Sequence, residues 1–303
     1  MVDLSVEIAG LRFRNPVWTA SGTFGYGLEF SPYLDLNQLG AIVVKGLSLK
    51  PSKGNPPPRT VETPAGMLNS IGLQNVGVDA FLKEKLPQLR KFDTHVIANF
   101  YGNSFEEYEE TAGKLSQAEG ISALEMNISC PNVKEGNLPF GRDPKVIEEL
   151  VGRVRKAVKL PLIVKLSPNT SDIKSAARSA EQGGADALSA INTLIGMSVD
   201  VRTKKPRLAK ITGGLSGPAI RPVAVRMVWE AASAVKIPVI GIGGIVSAED
   251  ALEFMIVGAK AVQIGTANFL DPAASVKIIE GLRDFCEKEQ VERVRDLIGA
   301  VRV

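Results

Sequence analysis

Cysteine and histidine are nearly absent from this sequence. Its 303 residues include two cysteines, Cys130 and Cys286, and a single histidine, His95. Two cysteines cannot supply the four protein ligands that an iron–sulfur cluster normally takes, nor a zinc framework. Long hydrophobic runs are also missing, since no apolar stretch reaches the roughly 18 residues of a transmembrane helix. We therefore expect a protein that holds no metal of its own and does not span a membrane.

A strong excess of one charge is missing too. Lys and Arg number 36 against 33 Asp and Glu, a net charge of +3. This excess is too small to indicate nucleic acid or a membrane surface as a partner. The first ten residues, MVDLSVEIAG, carry acids and lack the basic region of a secretory signal, so a cytoplasmic location is expected.

Short apolar runs recur along the chain, and amphipathic segments separate most of them. The runs are Val17–Ala20, Ala41–Lys45, Val96–Asn99, Ala123–Ile128, Leu162–Leu166, Ala187–Asn192, Val239–Ile242 and Ala261–Ile264. The segments between them include Val76–Arg90, Phe105–Ala118, Pro144–Ala157 and Asp172–Gln182. Eight strands that alternate with helices predict an α/β protein with a (β/α)8 TIM barrel. An N-terminal β-hairpin is expected before the barrel, and residues 1–303 are expected to form one domain.

The stretch ALEMNISCPN places a thiol at the end of a strand. Leu124 and Met126 alternate with Glu125 and Asn127, which predicts a strand with one apolar and one polar face. Proline after Cys130 ends the strand. In a parallel α/β fold, the carboxyl ends of the strands carry the chemistry. A free thiol has a pKa of about 8.5 and can serve as a base or nucleophile; the alternative is a small buried apolar residue.

Five polar residues close their strands in the same way. They are Lys45, Asn99, Asn127, Lys165 and Asn192. Four of them share strand parity with apolar residues and Asn127 shares it with Glu125, in each case on a face that can point into the barrel, so all five are expected at one mouth. The alternative is that each one merely leads its strand into a loop.

Glycine-rich turns follow the seventh and eighth strands. Gly241, Gly243 and Gly244 let the backbone approach a ligand closely, and Gly265 with Thr266 forms the next turn. Barrels frequently bind phosphate at these two loops, which predicts a phosphate-bearing ligand without identifying it. Ser247 and Asp250 are spaced as a helix capping pair.

Three long segments are expected to lie over the mouth as βα loops. They are Lys50–Gly77, Pro131–Gly141 and Thr193–Pro218. Long loops of this kind usually cover an active site. Four basic residues of the third loop are expected to face solvent: Lys204, Lys205, Arg207 and Lys210. His95 begins its strand at the opposite end and is assigned no catalysis, and Cys286 is expected to be structural.

Together these motifs resemble the class 1 dihydroorotate dehydrogenases, FMN-binding barrels of pyrimidine synthesis. The matching motifs are NPVWTASGTFGYG, VVKG, MLNSIGLQN, NISCPN, IVKLSPN, INT, GGLSGPAIRP, GIGGI and IGT, and they cover nearly the whole chain. The ASGTFGYG form and the lack of cluster cysteines are similar to subclass 1B. In that subclass a homodimeric catalytic core pairs with a subunit that carries FAD and a [2Fe-2S] cluster, forming a heterotetramer that passes electrons to NAD.

The resemblance implies a role for each matching residue. Cys130 is then the base that removes a proton from C5 of dihydroorotate while hydride leaves C6 for flavin N5, giving orotate. The expected substrate-binding residues are Lys45, Asn69, Ser70, Ile71, Gly72, Leu73, Asn127, Asn132, Asn192 and Thr193. The expected FMN-binding residues are Ala20, Ser21, Lys45, Gly46, Asn99, Asn127, Lys165, Ile191, Gly217, Gly243, Gly244, Gly265 and Thr266.

Three other functions remain open from the residues. One is a fumarate-dependent class 1A dihydroorotate dehydrogenase. Another is a different FMN pyrimidine reductase, such as a dihydropyrimidine dehydrogenase domain. The third is a colourless, non-redox phosphometabolite barrel in which Lys165 or Lys45 forms a Schiff base.

Overall fold

Eight parallel strands close into a barrel in the computed structural model, which describes residues 2–129, 141 and 143–302. The barrel strands are β1 (Val17–Thr19), β2 (Ala41–Val43), β3 (His95–Phe100), β4 (Ala123–Asn127), β5 (Leu162–Lys165), β6 (Ala187–Ala190), β7 (Val239–Ile242) and β8 (Ala259–Ile264). They follow one another around the ring in chain order, and β8 pairs with β1. The expected TIM barrel is confirmed.

Two strands end two residues earlier than the sequence predicts, because their polar last residues leave the ladder. β2 ends at Val43, and the backbone N–H of Lys45 donates to the Gly25 carbonyl at 2.8 Å instead of to a neighbouring strand. β6 ends at Ala190, although the N–H of Asn192 still reaches the Leu166 carbonyl at 3.1 Å. Both side chains therefore stand above the closed ring.

Helices surround the strands and bury apolar faces against them. The α-helices are Val78–Ala80, Leu86–Leu89, Phe105–Ser116, Pro144–Ala157, Ile173–Gln182, Arg221–Ala232, Ala248–Ile256, Ala267–Leu270 and Ala274–Lys288, and a π-turn, Phe81–Lys85, joins the first two. Short 3₁₀ helices span Leu28–Phe30, Leu36–Gln38, Pro218–Ile220 and Val294–Leu297. None of the helices in the described part of the chain has the length and hydropathy needed to cross a bilayer.

Side-chain caps fix where several helices begin. Ser104 and Asp172 accept from backbone N–H groups in the first turns of their helices. The pair Ser247 and Asp250 forms a full capping box, as the sequence predicts. Each such cap satisfies N–H groups that a helix start leaves without partners.

An antiparallel hairpin, Val6–Ile8 with Leu11–Phe13, lies at the amino-terminal end of the barrel. The Phe13 ring packs 4.5 Å from Trp18 and 4.6 Å from His95, measured between ring centroids. The His95 ring nitrogens contact Ser122 Oγ at 2.9 Å and the Arg12 carbonyl at 3.0 Å. The histidine therefore braces the end of the barrel away from the mouth.

A second, four-stranded antiparallel sheet occupies segments that the sequence predicts to be loops. Its strands lie in the order Leu194–Met197, Thr212–Ser216, Gly66–Asn69 and Thr60–Thr63. A two-residue pair, Val199–Asp200 with Lys205–Pro206, extends the same region. These segments are long βα connections, as expected, but the sheet within them was not predicted because its pairing is long-range: Leu215 lies opposite Leu68. These segments leave from β2 and β6, on opposite sides of the ring, so the sheet spans the mouth. We call it the covering sheet.

Candidate active site

Glu125 lies inside the barrel and gathers polar groups from three other strands. Its side chain is fully buried. Asn99 Nδ2 on β3 donates to its Oε1 at 2.7 Å, and Gln263 Nε2 on β8 donates to its Oε2 at 2.5 Å. The sequence analysis assigned no role to Glu125 or Gln263, although strand parity put Glu125 on the polar face of β4.

Lys165 completes this buried cluster from β5. Its side chain is about as buried as that of Glu125, and its Nζ lies 3.7 Å from Glu125 Oε1 and 3.5 Å from Ser21 Oγ. A buried ammonium is tolerated when a carboxylate and hydrogen-bond partners compensate its charge. Three expected cofactor residues, Ser21, Asn99 and Lys165, thus contact one another directly or through Glu125.

Two asparagine side chains meet above this cluster. Asn192 Nδ2 donates to Asn127 Oδ1 at 3.3 Å, and the Ser129 N–H donates to the same oxygen at 3.1 Å. Asn192 Oδ1 in turn accepts from the Thr193 N–H at 2.8 Å. The expected residues Asn127, Asn192 and Thr193 are therefore brought together, whereas Cys130 and Asn132 lie outside the described residues.

Lys45 stands half-buried at the end of β2. Burial lowers the pKa of its ammonium below the ordinary value, the Arg59 charge lowers it further, and Glu29 opposes the shift. The next residue, Gly46, packs against β3 so closely that an added Cβ would lie 2.8 Å from Asn99 Oδ1. A side chain at residue 46 would displace the buried amide.

Asn69 ends a strand of the covering sheet, and Ser70 to Leu73 follow it as a loop. Asn69 Nδ2 donates to the Gly214 carbonyl at 3.3 Å, and the Ser70 N–H donates to the Arg59 carbonyl at 2.7 Å. The Ile71 carbonyl accepts from the Asn55 N–H at 2.9 Å. Gly72 and Leu73 both have positive φ, 74° and 56°. This segment is thus braced within its own loop above β2.

Turns after β7 and β8 meet the end of the covering sheet. A Cβ on Gly244 would lie 2.8 Å from the Gly217 carbonyl, and Thr266 Oγ1 donates to Ser216 Oγ at 2.8 Å. Within the described part of the chain, the backbone N–H groups of Gly243, Gly244, Gly265 and Thr266 donate no hydrogen bond. Free N–H groups in two neighbouring turns suit an anion such as phosphate.

One glycine of this region has a different role from the one expected. Gly241 faces the helix Ala248–Ile256, where an added Cβ would collide with the Phe254 ring. It permits close packing of helix on strand and does not open the backbone to a ligand. Ala20 and Ile191 are buried where β1 and β6 end, and their N–H groups donate to the Ile264 and Ile242 carbonyls at 2.8 and 3.0 Å.

The residues present fit FMN in two respects. The free N–H groups after β7 and β8 match a phosphate, and the buried Lys165 ammonium matches the electron-rich end of a flavin ring. No group of three or more His, Cys, Asp and Glu side chains that could hold a metal ion occurs among the described residues.

A closed parallel barrel with charged and amide side chains at the carboxyl ends of its strands defines an enzyme of the TIM-barrel class. The family model for dihydroorotate dehydrogenase matches residues 3–286. The chain therefore belongs to the dihydroorotate dehydrogenase family.

Relatives with known names agree with this membership. A protein of Geotalea daltonii named dihydroorotate dehydrogenase B (NAD(+)), catalytic subunit, is 60% identical over 301 residues, which make up 99% of each chain. A protein of the same name from Thermodesulfovibrio yellowstonii is 58% identical over 302 residues, 100% of each chain. The crystal structure of a dihydroorotate dehydrogenase from Eimeria tenella, in complex with ferulenol, shares the fold with a TM-score of 0.82 and 22% identity, over 98% of this chain and 88% of that one.

Proposed function

We propose that this protein oxidises (S)-dihydroorotate to orotate in de novo pyrimidine (UMP) biosynthesis. The observation that carries the proposal is the meeting of the paired amides of Asn127 and Asn192 with the buried cluster of Lys165 and Glu125 at one barrel mouth. Dihydroorotate has a carboxylate and ring amides, and asparagine side chains offer both the donors and the acceptors that such a ring requires.

The substrate is held from three directions. Lys45 attracts its carboxylate, and Asn69, Asn127, Asn192 and Thr193 bind the ring amides. Asn127 suits this role because its Nδ2 donates no hydrogen bond within the described residues, while its Oδ1 is already occupied. Residues 70 to 73, which follow the covering sheet's strand Gly66–Asn69, and Asn132 complete the enclosure and exclude water.

FMN is the proposed cofactor. When bound, FMN would supply a two-electron acceptor for the hydride that leaves C6 of the substrate. The turns at Gly217, Gly243, Gly244, Gly265 and Thr266 would hold its phosphate. The residues that would line its ring and ribityl chain are Ala20, Ser21, Lys45, Gly46, Asn99, Asn127 and Ile191. Lys165 would offer it a fixed positive charge, which favours the reduced form.

Cys130 is the proposed base that removes the proton from C5. A carbon acid gives up its proton reluctantly, so the base must stand in contact with it. Asn127 holds the Ser129 N–H and thereby fixes the chain one residue before the thiol. A Schiff-base reaction at Lys165 is disfavoured, because its buried Nζ is paired with the Glu125 carboxylate at 3.7 Å and is not free to attack a carbonyl group.

Electrons leave through a partner. The names of the relatives include NAD(+) and the words catalytic subunit, and a chain with two cysteines cannot ligate an iron–sulfur cluster alone. We therefore propose a homodimeric core with a second subunit that carries FAD and [2Fe-2S], a heterotetramer that reduces NAD in the cytoplasm.

Purification with the native partner tests this proposal. The protein is expected to be yellow, to release FMN on denaturation and to reduce NAD with dihydroorotate only when the partner is present. Direct reduction of fumarate by the isolated chain would instead indicate the class 1A activity, and a colourless protein would contradict the redox proposal.

A further inference from the structure

Glu125 is assigned no contact with the substrate or the flavin, yet its side chain is fully buried within the site. The side chain is inaccessible to solvent, and Asn99, Gln263 and Lys165 reach it from β3, β8 and β5. A buried carboxylate without compensation costs several kcal/mol, so a purely structural position would be filled more cheaply by an apolar residue. The position of Glu125 therefore calls for another explanation.

The hydrogen bonds indicate that Glu125 carries a charge. Amide N–H groups donate to both of its oxygens, and the Lys165 ammonium lies 3.7 Å from one of them. An ionised carboxylate accepts at both oxygens and donates nothing, which matches this arrangement. The cluster accordingly pairs one negative and one positive charge where little water screens either.

We propose that Glu125 is a positioning residue that orients the Lys165 ammonium and offsets its charge, so that the bound flavin is reduced less readily than it would be beside an uncompensated lysine. The inference rests on the proposed function, because it requires the flavin beside Lys165. Asn99 is held by the same carboxylate, so one acid aligns two of the proposed cofactor residues.

The sign of the effect follows from electrostatics. Reduction adds electron density to the flavin, and a nearby negative charge opposes it while a positive charge favours it. Glu125→Gln removes the negative charge and leaves Lys165 uncompensated. The exchange also fits the site if the Gln263 amide, which now donates through Nε2, turns over: its Oε1 has no hydrogen-bond partner among the described residues and would then accept from the new amide.

The experiment is a reductive titration of the flavin-loaded protein against a reference dye. Glu125→Gln is expected to shift the equilibrium toward reduced flavin by about tenfold, or about 30 mV for a two-electron couple. Lys165→Gln is expected to shift it the other way. Glu149→Gln, the same exchange on the exposed face of the helix Pro144–Ala157, serves as the matched control and is expected to leave it unchanged.

Glu125→Asp covers the case in which Glu125→Gln does not fold. This variant retains the negative charge but loses packing contacts of the longer side chain. Its equilibrium between oxidised and reduced flavin is expected to stay within about twofold of the wild-type value. An unchanged or lower potential in Glu125→Gln, or a tenfold rise in Glu125→Asp, would overturn the inference. Failure of the wild-type protein to bind flavin would instead refute the proposed function, so the two failures are distinguishable.

Discussion

Asn192 Nδ2 lies 3.3 Å from Asn127 Oδ1. Asn192 follows β6 and Asn127 is the last residue of β4, so their contact bridges the end of β5, the strand that carries Lys165. The bond uses the oxygen of Asn127 and leaves its amide nitrogen free to donate. A substrate with carbonyl groups at its rim would find that donor already oriented.

Asn192→Ala is therefore expected to weaken substrate binding while flavin stays bound. Loss of a hydrogen bond that orients a buried partner costs about 1–3 kcal/mol, so KM for dihydroorotate should rise roughly tenfold. Steady-state kinetics and flavin fluorescence measure the two effects separately. The control is Asn103→Ala, which removes an exposed amide bonded to Glu107. Equal effects of the two variants on KM would contradict the assignment.

Cys130→Ala is expected to retain flavin but to slow its reduction by dihydroorotate by about 10²- to 10⁴-fold, the usual contribution of a positioned base. The rate of flavin reduction in Cys130→Ser should fall between those of Cys130→Ala and the wild type, because an alcohol is a poorer base than a thiol. Cys286→Ala is the matched control, since that thiol is buried in the helix Ala274–Lys288 and burial raises its pKa. Anaerobic stopped-flow absorbance gives the rates, and loss of flavin from Cys130→Ala would point to a structural role.

Gly244→Ala is expected to weaken flavin binding and destabilise the fold. Gly244 has a φ of 77°, and an added Cβ would lie 2.8 Å from the Gly217 carbonyl. The left-handed conformation alone costs a residue with a side chain about 1–2 kcal/mol. Gly113→Ala is the control, because nothing lies within 4 Å of its added Cβ and a helical glycine gains about 0.5–1 kcal/mol from the exchange. Thermal unfolding and flavin titration should separate the two variants, and a Gly244→Ala protein with wild-type flavin affinity would exclude a phosphate site here.

Lys45 predicts a specific pH dependence. Burial first, and then the Arg59 charge, lower its pKa in the folded state. The unfolded chain then binds more protons at this group between the folded and unfolded pKa values, so its contribution to stability rises with pH across that alkaline window. In denaturation of the flavin-free protein, the free energy of unfolding of the wild type should increase relative to that of Lys45→Met as the pH rises through this window. KM for dihydroorotate should rise over the same range, because a neutral amine no longer attracts a carboxylate. Parallel stability curves for the two proteins would refute the shift.

Strand parity predicted the barrel and several of its polar strand ends, since local alternation decides which face a side chain joins. The hydrogen bond from Asn99 to Glu125 and the ion pair between Lys165 and Glu125 show that this face points inward. Parity could not identify the Glu125 cluster itself, because Gln263 lies on another strand far along the chain. In addition, the apolar neighbours of Glu125 give the pattern of an ordinary strand.

The covering sheet was missed for a related reason. Its strands are short and lie in segments with many glycines and prolines, which favour turns. Gly214 pairs with Asn69, which lies 145 residues away in the sequence, and such a pairing leaves no periodic signal in either segment. Gly241 was also misinterpreted. The sequence predicted a backbone open to a ligand, whereas the packing of the Phe254 ring against this glycine shows that it permits close contact of helix and strand.

Anaerobic addition of dihydroorotate to the purified flavin-loaded protein tests the central claim most directly. The account predicts that the flavin absorbance band bleaches with dihydroorotate and persists with dihydrouracil, which lacks the carboxylate that Lys45 is proposed to bind. A band that persists with dihydroorotate, or that bleaches equally with dihydrouracil, would contradict it.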